Sequence, residues 1–302
     1  MKDIEPFLIK KDLSLHHLSI NWSKIIGKIA SFIICCFAAL SILLPLLYMF
    51  SAAFKPEMDI FEFPVRLIPK TITWGNFQRL FLDESGKFNF NSFPIYTLNS
   101  FKLTFIIIFV QIITSTTAAY AFAKLKWKGR DLLFLIYVAS IMIPVQCIII
   151  PQFILVRNFG LYNTHLSIIL VGSFTAFGTF LIKQFFMTIP DSYLEAARID
   201  GANEFYIYSR IMLPLSKPVI AAQIIFSFRY FWNDFFVPMI YLTDPNLKTI
   251  PIGMTDFVTE SFVYHGAQMA ACVLSVVPVL IIFIIAQKYF VEGIVARGGV
   301  KG

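Results

Sequence analysis

The sequence predicts an all-α, polytopic membrane protein: six transmembrane helices, both termini cytoplasmic, and a cytoplasmic helical elbow between spans four and five. Three observations predict it. The chain of 302 residues is 58% hydrophobic and only 14% charged, whereas about a quarter of a soluble domain is charged. Its mean hydropathy is +0.74. Apolar runs near the ~20 residues that cross a bilayer recur along its length, so one membrane domain is expected.

The spans are expected at 29–50, 101–122, 132–156, 166–186, 219–242 and 269–288. The 28 residues that precede the first, many of them polar, make it too late and too long for a cleavable signal. Lysine and arginine set the orientation, because they accumulate on cytoplasmic segments. With the N-terminus inside, 16 of them fall in cytoplasmic segments and 7 outside, five of the latter in the long loop 51–100. The expected division is a cytoplasmic segment at 1–28, a transmembrane domain at 29–290 holding the elbow at 189–218, and a cytoplasmic tail at 291–302. The net charge of +7 is distributed over span ends, which argues against nucleic-acid binding. Cys35, Cys36, Cys147 and Cys272 lie inside apolar runs and read as small buried hydrophobes.

Each span carries its own punctuation. Span two ends in Ala118-Ala119-Tyr120-Ala121-Phe122-Ala123 and a basic turn at Gly129, and small residues from Thr114 to Ala119 suit close helix packing. Span three holds Pro144 and Pro151, which kink a membrane helix. Gln146 beside them either lines a path or bonds to a neighbouring helix. Gly172, Ser173, Gly178 and Thr179 lighten span four. Span five contains Arg229, Trp232, Asn233 and Asp234, the densest polar cluster at membrane depth. Intramembrane charges mark functional sites by default, but a structural clamp, a solute contact and a proton relay all remain open for Arg229, Asn233 and Asp234. The outer loops bring aromatics (Trp74, Phe77, Phe81) that either anchor at headgroups or cover a mouth.

The elbow is the most informative stretch. Pro190 stops span four, and Ser192 with Glu195 has capping-box spacing for a new helix. Ala196 and Ala197 allow a partner backbone to come close. Gly201 ends that helix, Asn203 caps a second running to about Leu213, and Pro214 follows. No G-x-x-x-x-G-K-[ST], H-E-x-x-H or Cys/His cluster occurs, so no chemistry is expected of this chain itself.

The series Glu195-Ala196-Ala197, Asp200-Gly201-Ala202 and Ile211-x-Leu213-Pro214 resembles the EAA loop of ABC importer permeases, on the carbohydrate branch near the smaller maltose-type subunit. Further strings are similar to the same family: Ala53-Phe54-Lys55-Pro56, Ile143-Pro144-Val145-Gln146, Trp232-Asn233-Asp234-Phe235 and the tail Glu292-Gly293-Ile294 with Gly298-Gly299-Val300-Lys301-Gly302. Arg229 lies outside that pattern. The resemblance implies a permease subunit of an ATP-driven importer for a sugar or related polyol, and not an enzyme. It implies an elbow docked on an ATP-binding subunit through Glu195, Ala196, Ala197, Asp200, Gly201, Ala202, Leu213 and Pro214. It implies a tail whose Gly298, Gly299 and Lys301 reach between the ATP-binding subunits. The implied partners are a second permease subunit, the ATP-binding subunits and an extracytoplasmic solute-binding protein, in a bacterial inner membrane. No cofactor is expected in this chain, because ATP and Mg belong to the partner. An ion-coupled carrier, which needs paired carboxylates or broken helices in two related halves, and a non-transporting scaffold are the alternatives.

Overall fold

The computed structural model describes residues 22–83, 85–90, 92–257 and 263–298. They form helices, with no strand among the described residues and an isolated bridge between Leu82 and Phe88. The chain falls into two units, Met1–Tyr48 and Met49–Gly302. The helix α1 (Trp22–Ala53) starts in the first. Its Phe32, Phe37 and Ile42 are all exposed. Exposed apolar residues around a helix are stable against lipid or another apolar surface, not against water.

In the second unit, α2 (Gly75–Phe81) precedes α3 (Phe93–Lys124). The basic turn follows, with Gly129 at φ 84, then α4 (Arg130–Ala139) and α5 (Val145–Asn158). Next come α6 (His165–Gly172) and α7 (Ala176–Met187). The elbow is α8 (Ser192–Ile199), α9 (Glu204–Tyr206), a π-helical turn at Ile207–Met212 and α10 (Leu213–Leu215). Then follow α11 (Lys217–Trp232), α12 (Phe236–Tyr241), α13 (Ile250–Gly253) and α14 (His265–Gly298).

Among the described residues, four helical stretches are long and apolar enough to cross a membrane: Ile26–Ala53, Phe93–Lys124, His165–Met187 and His265–Ile285. They contain the cores of expected spans one, two, four and six. The expected third span is not one continuous helix. Arg130–Met142 and Val145–Asn158 meet at 102°, because Pro144 has no N–H to continue the ladder and forces Ile143 into extended backbone. Pro151, by contrast, sits inside α5. The expected fifth span also breaks, after Trp232. The final helix runs on to Gly298, beyond the end expected at Lys288. Nor are the cysteines buried as a group: Cys35, Cys36 and Cys147 are exposed and Cys272 is half-buried, all free thiols.

The helix α3 is the hub of this unit, packed against α6, α7 and α11, while α14 packs on α11 and α2. Its polar side chains satisfy backbone that the other helices leave open. Gln111 Nε2 donates to the Gly172 carbonyl at 2.6 Å, and Thr114 Oγ1 to that of Ser173 at 2.9 Å. These are the carbonyls exposed where α6 stops before α7. Interrupted helices persist at membrane depth only where such partners exist. Small residues bring the helices close enough for it. A Cβ on Gly178 would stand 2.5 Å from Gln223 Nε2 and 2.7 Å from Thr175 Cγ2.

At the end opposite the elbow, Glu57 accepts from the His265 and Gly266 amides at 2.7 and 3.1 Å, capping α14. Trp74 packs edge-on and Phe77 tilted against Phe54, building a local cluster there, so they serve internal packing, although Trp74 keeps an exposed face.

Candidate functional site

The elbow rests on a cluster at one end of the bundle: Ala119 and Tyr120 of α3, Ile182 and Phe186 of α7, then Leu194, Ile207, Met212 and Val219. Leu194 is 1% exposed and Ile207 fully buried, so each elbow helix is held by an apolar anchor. A helix as short as α8 is marginal in water and depends on this docking. Gly201 turns the chain at φ 83 with open space where a Cβ would point. The Ala202 amide donates back to the Ala197 carbonyl at 2.9 Å, closing the helix end. Asn203 caps the second helix through Oδ1, which accepts from the Tyr206 amide at 2.8 Å.

The capping box expected from Ser192 and Glu195 does not form. The helix begins at Ser192 itself, and the preceding Asp191 makes no side-chain cap. Its carboxylate is drawn elsewhere: Lys124 Nζ donates to Asp191 Oδ1 at 2.5 Å and to the Ile189 carbonyl at 2.7 Å. That contact holds the Asp191 carboxyl below its ordinary range. A second tie joins Tyr120, whose hydroxyl donates to Glu204 Oε2, to Arg198, whose Nε donates to Oε1 at 2.9 Å. The Arg198 bond first, then the Tyr120 bond, lowers the Glu204 carboxyl. So α3 is pinned to both halves of the elbow. Sequence reasoning missed Tyr120, Lys124, Arg198 and Glu204. Tyr120 and Lys124 are four residues apart on one helical face, a signal present but unused.

Of the residues expected at the docking face, Glu195, Ala196, Asp200, Gly201 and Pro214 are exposed, while Ala197, Ala202 and Leu213 are half-buried against the bundle. Ile199 and Phe205, at 86% and 74% exposure, add a large apolar surface beside them. Gly298 ends α14, and Gly299 and Lys301 lie outside the described residues.

A second feature lies among the helix breaks. Where α4 gives way to α5, α6 to α7, and α11 to α12, the three breaks border one cavity of about 570 Å³. Its walls include Gln111, Gln152, Thr175, Ser227, Arg229 and Asp234. Most are already engaged. Ser227 Oγ donates to Gln111 Oε1 at 2.7 Å, Tyr241 to Gln152 Oε1 at 3.0 Å, and Thr175 Oγ1 accepts from the Gly178 amide. Asp234 Oδ1 accepts from the Val237 amide at 3.4 Å, at the start of α12. The structure thus brings Arg229 and Asp234 together on one wall. It leaves Asn233 and Gln146 off it. Asn233 Nδ2 closes the end of α11 by donating to the Arg229 carbonyl at 2.8 Å, and Gln146 is exposed near the start of α5. No group of three or more His, Cys, Asp or Glu side chains that could hold a metal occurs among the described residues.

A bundle whose helices break around a largely apolar cavity with a few polar groups, with a docked elbow at one end, has the architecture of a transport protein. Residues 111–295 match the family described as binding-protein-dependent transport system inner membrane component. The chain is 33% identical over 258 residues to the sn-glycerol-3-phosphate transport system permease protein UgpE of Pectobacterium atrosepticum, covering 85% of this chain and 92% of that one. It is 32% identical over 268 residues to the arabinooligosaccharides transport system permease protein AraQ of Halalkalibacterium halodurans, covering 88% and 94%. Among solved structures, a bacterial ABC transporter involved in the import of the acidic polysaccharide alginate superposes with a TM-score of 0.78 at 25% identity, over 89% of this chain and 98% of that one.

The chain belongs to the binding-protein-dependent transport system inner membrane component family. It is a multi-pass inner-membrane permease subunit of an ABC importer, not an enzyme, and in this family ATP hydrolysis is carried by a separate subunit.

Proposed function

We propose that this subunit carries a sugar or related polyol inward by alternating access, driven through the elbow by an ATP-binding partner. Support for the solute class comes from relatives named for glycerol 3-phosphate and arabinooligosaccharides and a fold neighbour that imports alginate. In this reading the elbow and both termini are cytoplasmic, and the divisions at 1–28, 29–290 and 291–302 are those of segment, transmembrane domain and tail. A second permease subunit completes the pathway, a solute-binding protein delivers from outside, and ATP and Mg bind only the partner.

One observation carries the docking assignment: the elbow is anchored on an apolar cluster on one side while Glu195, Ala196, Asp200 and Gly201 stay exposed. Two anchors, the apolar cluster and the Lys124 and Glu204 ties, make it a lever that cannot shift without moving α3 and α7. ATP then biases two arrangements of one bundle. In the tail, Gly298, Gly299 and Lys301 are assigned to contact with the ATP-binding subunits.

The test is Gly201→Asp in the assembled importer. Left-handed backbone costs a non-glycine residue about 1–2 kcal/mol, least for Asp and Asn. The added charge and bulk therefore act mainly on the docking face. Expected is loss of the ATP-binding subunit on purification, or ATP hydrolysis that no longer yields uptake. Normal assembly with full transport by this variant would refute the assignment.

A further inference from the structure

Arg229, an exposed residue of α11, stands ten positions beyond Val219, the start expected for span five, a rise of roughly 15 Å, which is half of a ~30 Å hydrocarbon core. It borders the cavity at the helix breaks. A guanidinium at that depth is expensive, about 2.5–3.5 kcal/mol even on the mildest scale. It is kept where something negative meets it. Among the described residues no ion pair or side-chain hydrogen bond engages it. Asp234 shares the wall, but its carboxylate serves the α12 amides instead. Gln111 and Ser227 are committed to each other and to the α6 end. The charge left over in the cavity is therefore a cation with a planar fork of donors, shaped for a carboxylate or phosphate. The volume of about 570 Å³ lies within the range of small-molecule sites.

We propose that this cavity binds the anionic group, a phosphate ester or a carboxylate, of a small polyhydroxylated solute through the Arg229 guanidinium. The proposal rests on the permease reading and deepens it. It gives this subunit its own solute contact and selects charged over neutral sugars or polyols. Gln152 and Thr175, each with acceptor capacity remaining, face the hydroxyl-bearing part of such a solute.

The experiment uses the chain assembled with its partner subunits in phosphatidylcholine nanodiscs, without the binding protein. Equilibrium binding is measured for two matched pairs, sn-glycerol 3-phosphate against glycerol and galacturonate against galactose. Expected is at least a tenfold preference for one anionic member. Arg229→Gln removes that preference, and Arg229→Lys keeps part of it by supplying charge without the fork. Equal binding of anionic and neutral members by the unaltered complex overturns the proposal without any variant. So does Arg229→Gln that retains the preference. If added phosphatidylglycerol abolishes probe binding, the occupant is a lipid headgroup and the proposal fails. An unaltered chain that never purifies with an ATP-binding subunit would instead defeat the permease reading beneath it.

Discussion

Removing the Lys124 ammonium isolates the tie between α3 and the elbow. The side chain is 5% exposed, and it bonds both the Ile189 carbonyl and the Asp191 carboxylate, the latter 72% exposed. In Lys124→Met the carbonyl loses a bond worth about 1 kcal/mol. The carboxylate returns to water, so its share is that of a surface pair, at most about 1 kcal/mol. The anchored elbow should weaken by about 1–2 kcal/mol, a factor of roughly 5–30 in the population that opens. Hydrogen exchange on the complex reads this directly. Amides of 189–202 should exchange faster by about that factor, while those of α11 stay unchanged. Equal exchange in both proteins would show that the apolar cluster alone holds the elbow, and the tie would lose its mechanical role.

The pH dependence of the same tie has a definite sign. Lys124 depresses the Asp191 carboxyl in the folded state. Its stabilisation is complete above the unfolded value near 3.9 and is lost only as pH falls through the depressed value. Elbow exchange protection corrected for intrinsic rates should therefore be flat between pH 6 and 8, and a step there would contradict the pairing. Asn203→Ala should cost about 1 kcal/mol by removing the cap on the Tyr206 amide, visible as faster exchange at 204–207 with assembly preserved. Gly178→Leu should destabilise by about 1–3 kcal/mol or more through overpacking against Gln223 and Thr175, read as a lower melting temperature of the purified complex.

What could be read from the sequence divides along physical lines. Elbow punctuation was legible because it depends on neighbours in the chain: Gly201 takes positive φ and Asn203 caps. Ser192 and Glu195 misled because capping-box spacing does not fix where the helix starts: Asp191 takes the cap position and Ser192 is already helical. Arg229 and Asp234 could be flagged as charges at membrane depth, but periodicity could not say that Asp234 turns to the α12 backbone while Arg229 has no ion pair among the described residues.

The sequence alone determined that this chain lives in a bilayer, that it carries a helical elbow between two apolar stretches, and which family it resembles. Those follow from run length, charge placement and residue spacing, all properties of the chain read along one dimension. Only the tertiary structure decided that, among the described residues, the α4–α5, α6–α7 and α11–α12 breaks border one cavity, and that α3 heals the α6 break with Gln111 and Thr114. A broken helix at membrane depth survives only if another element satisfies its open carbonyls, and which element does so is set by packing across the bundle rather than by order along the chain.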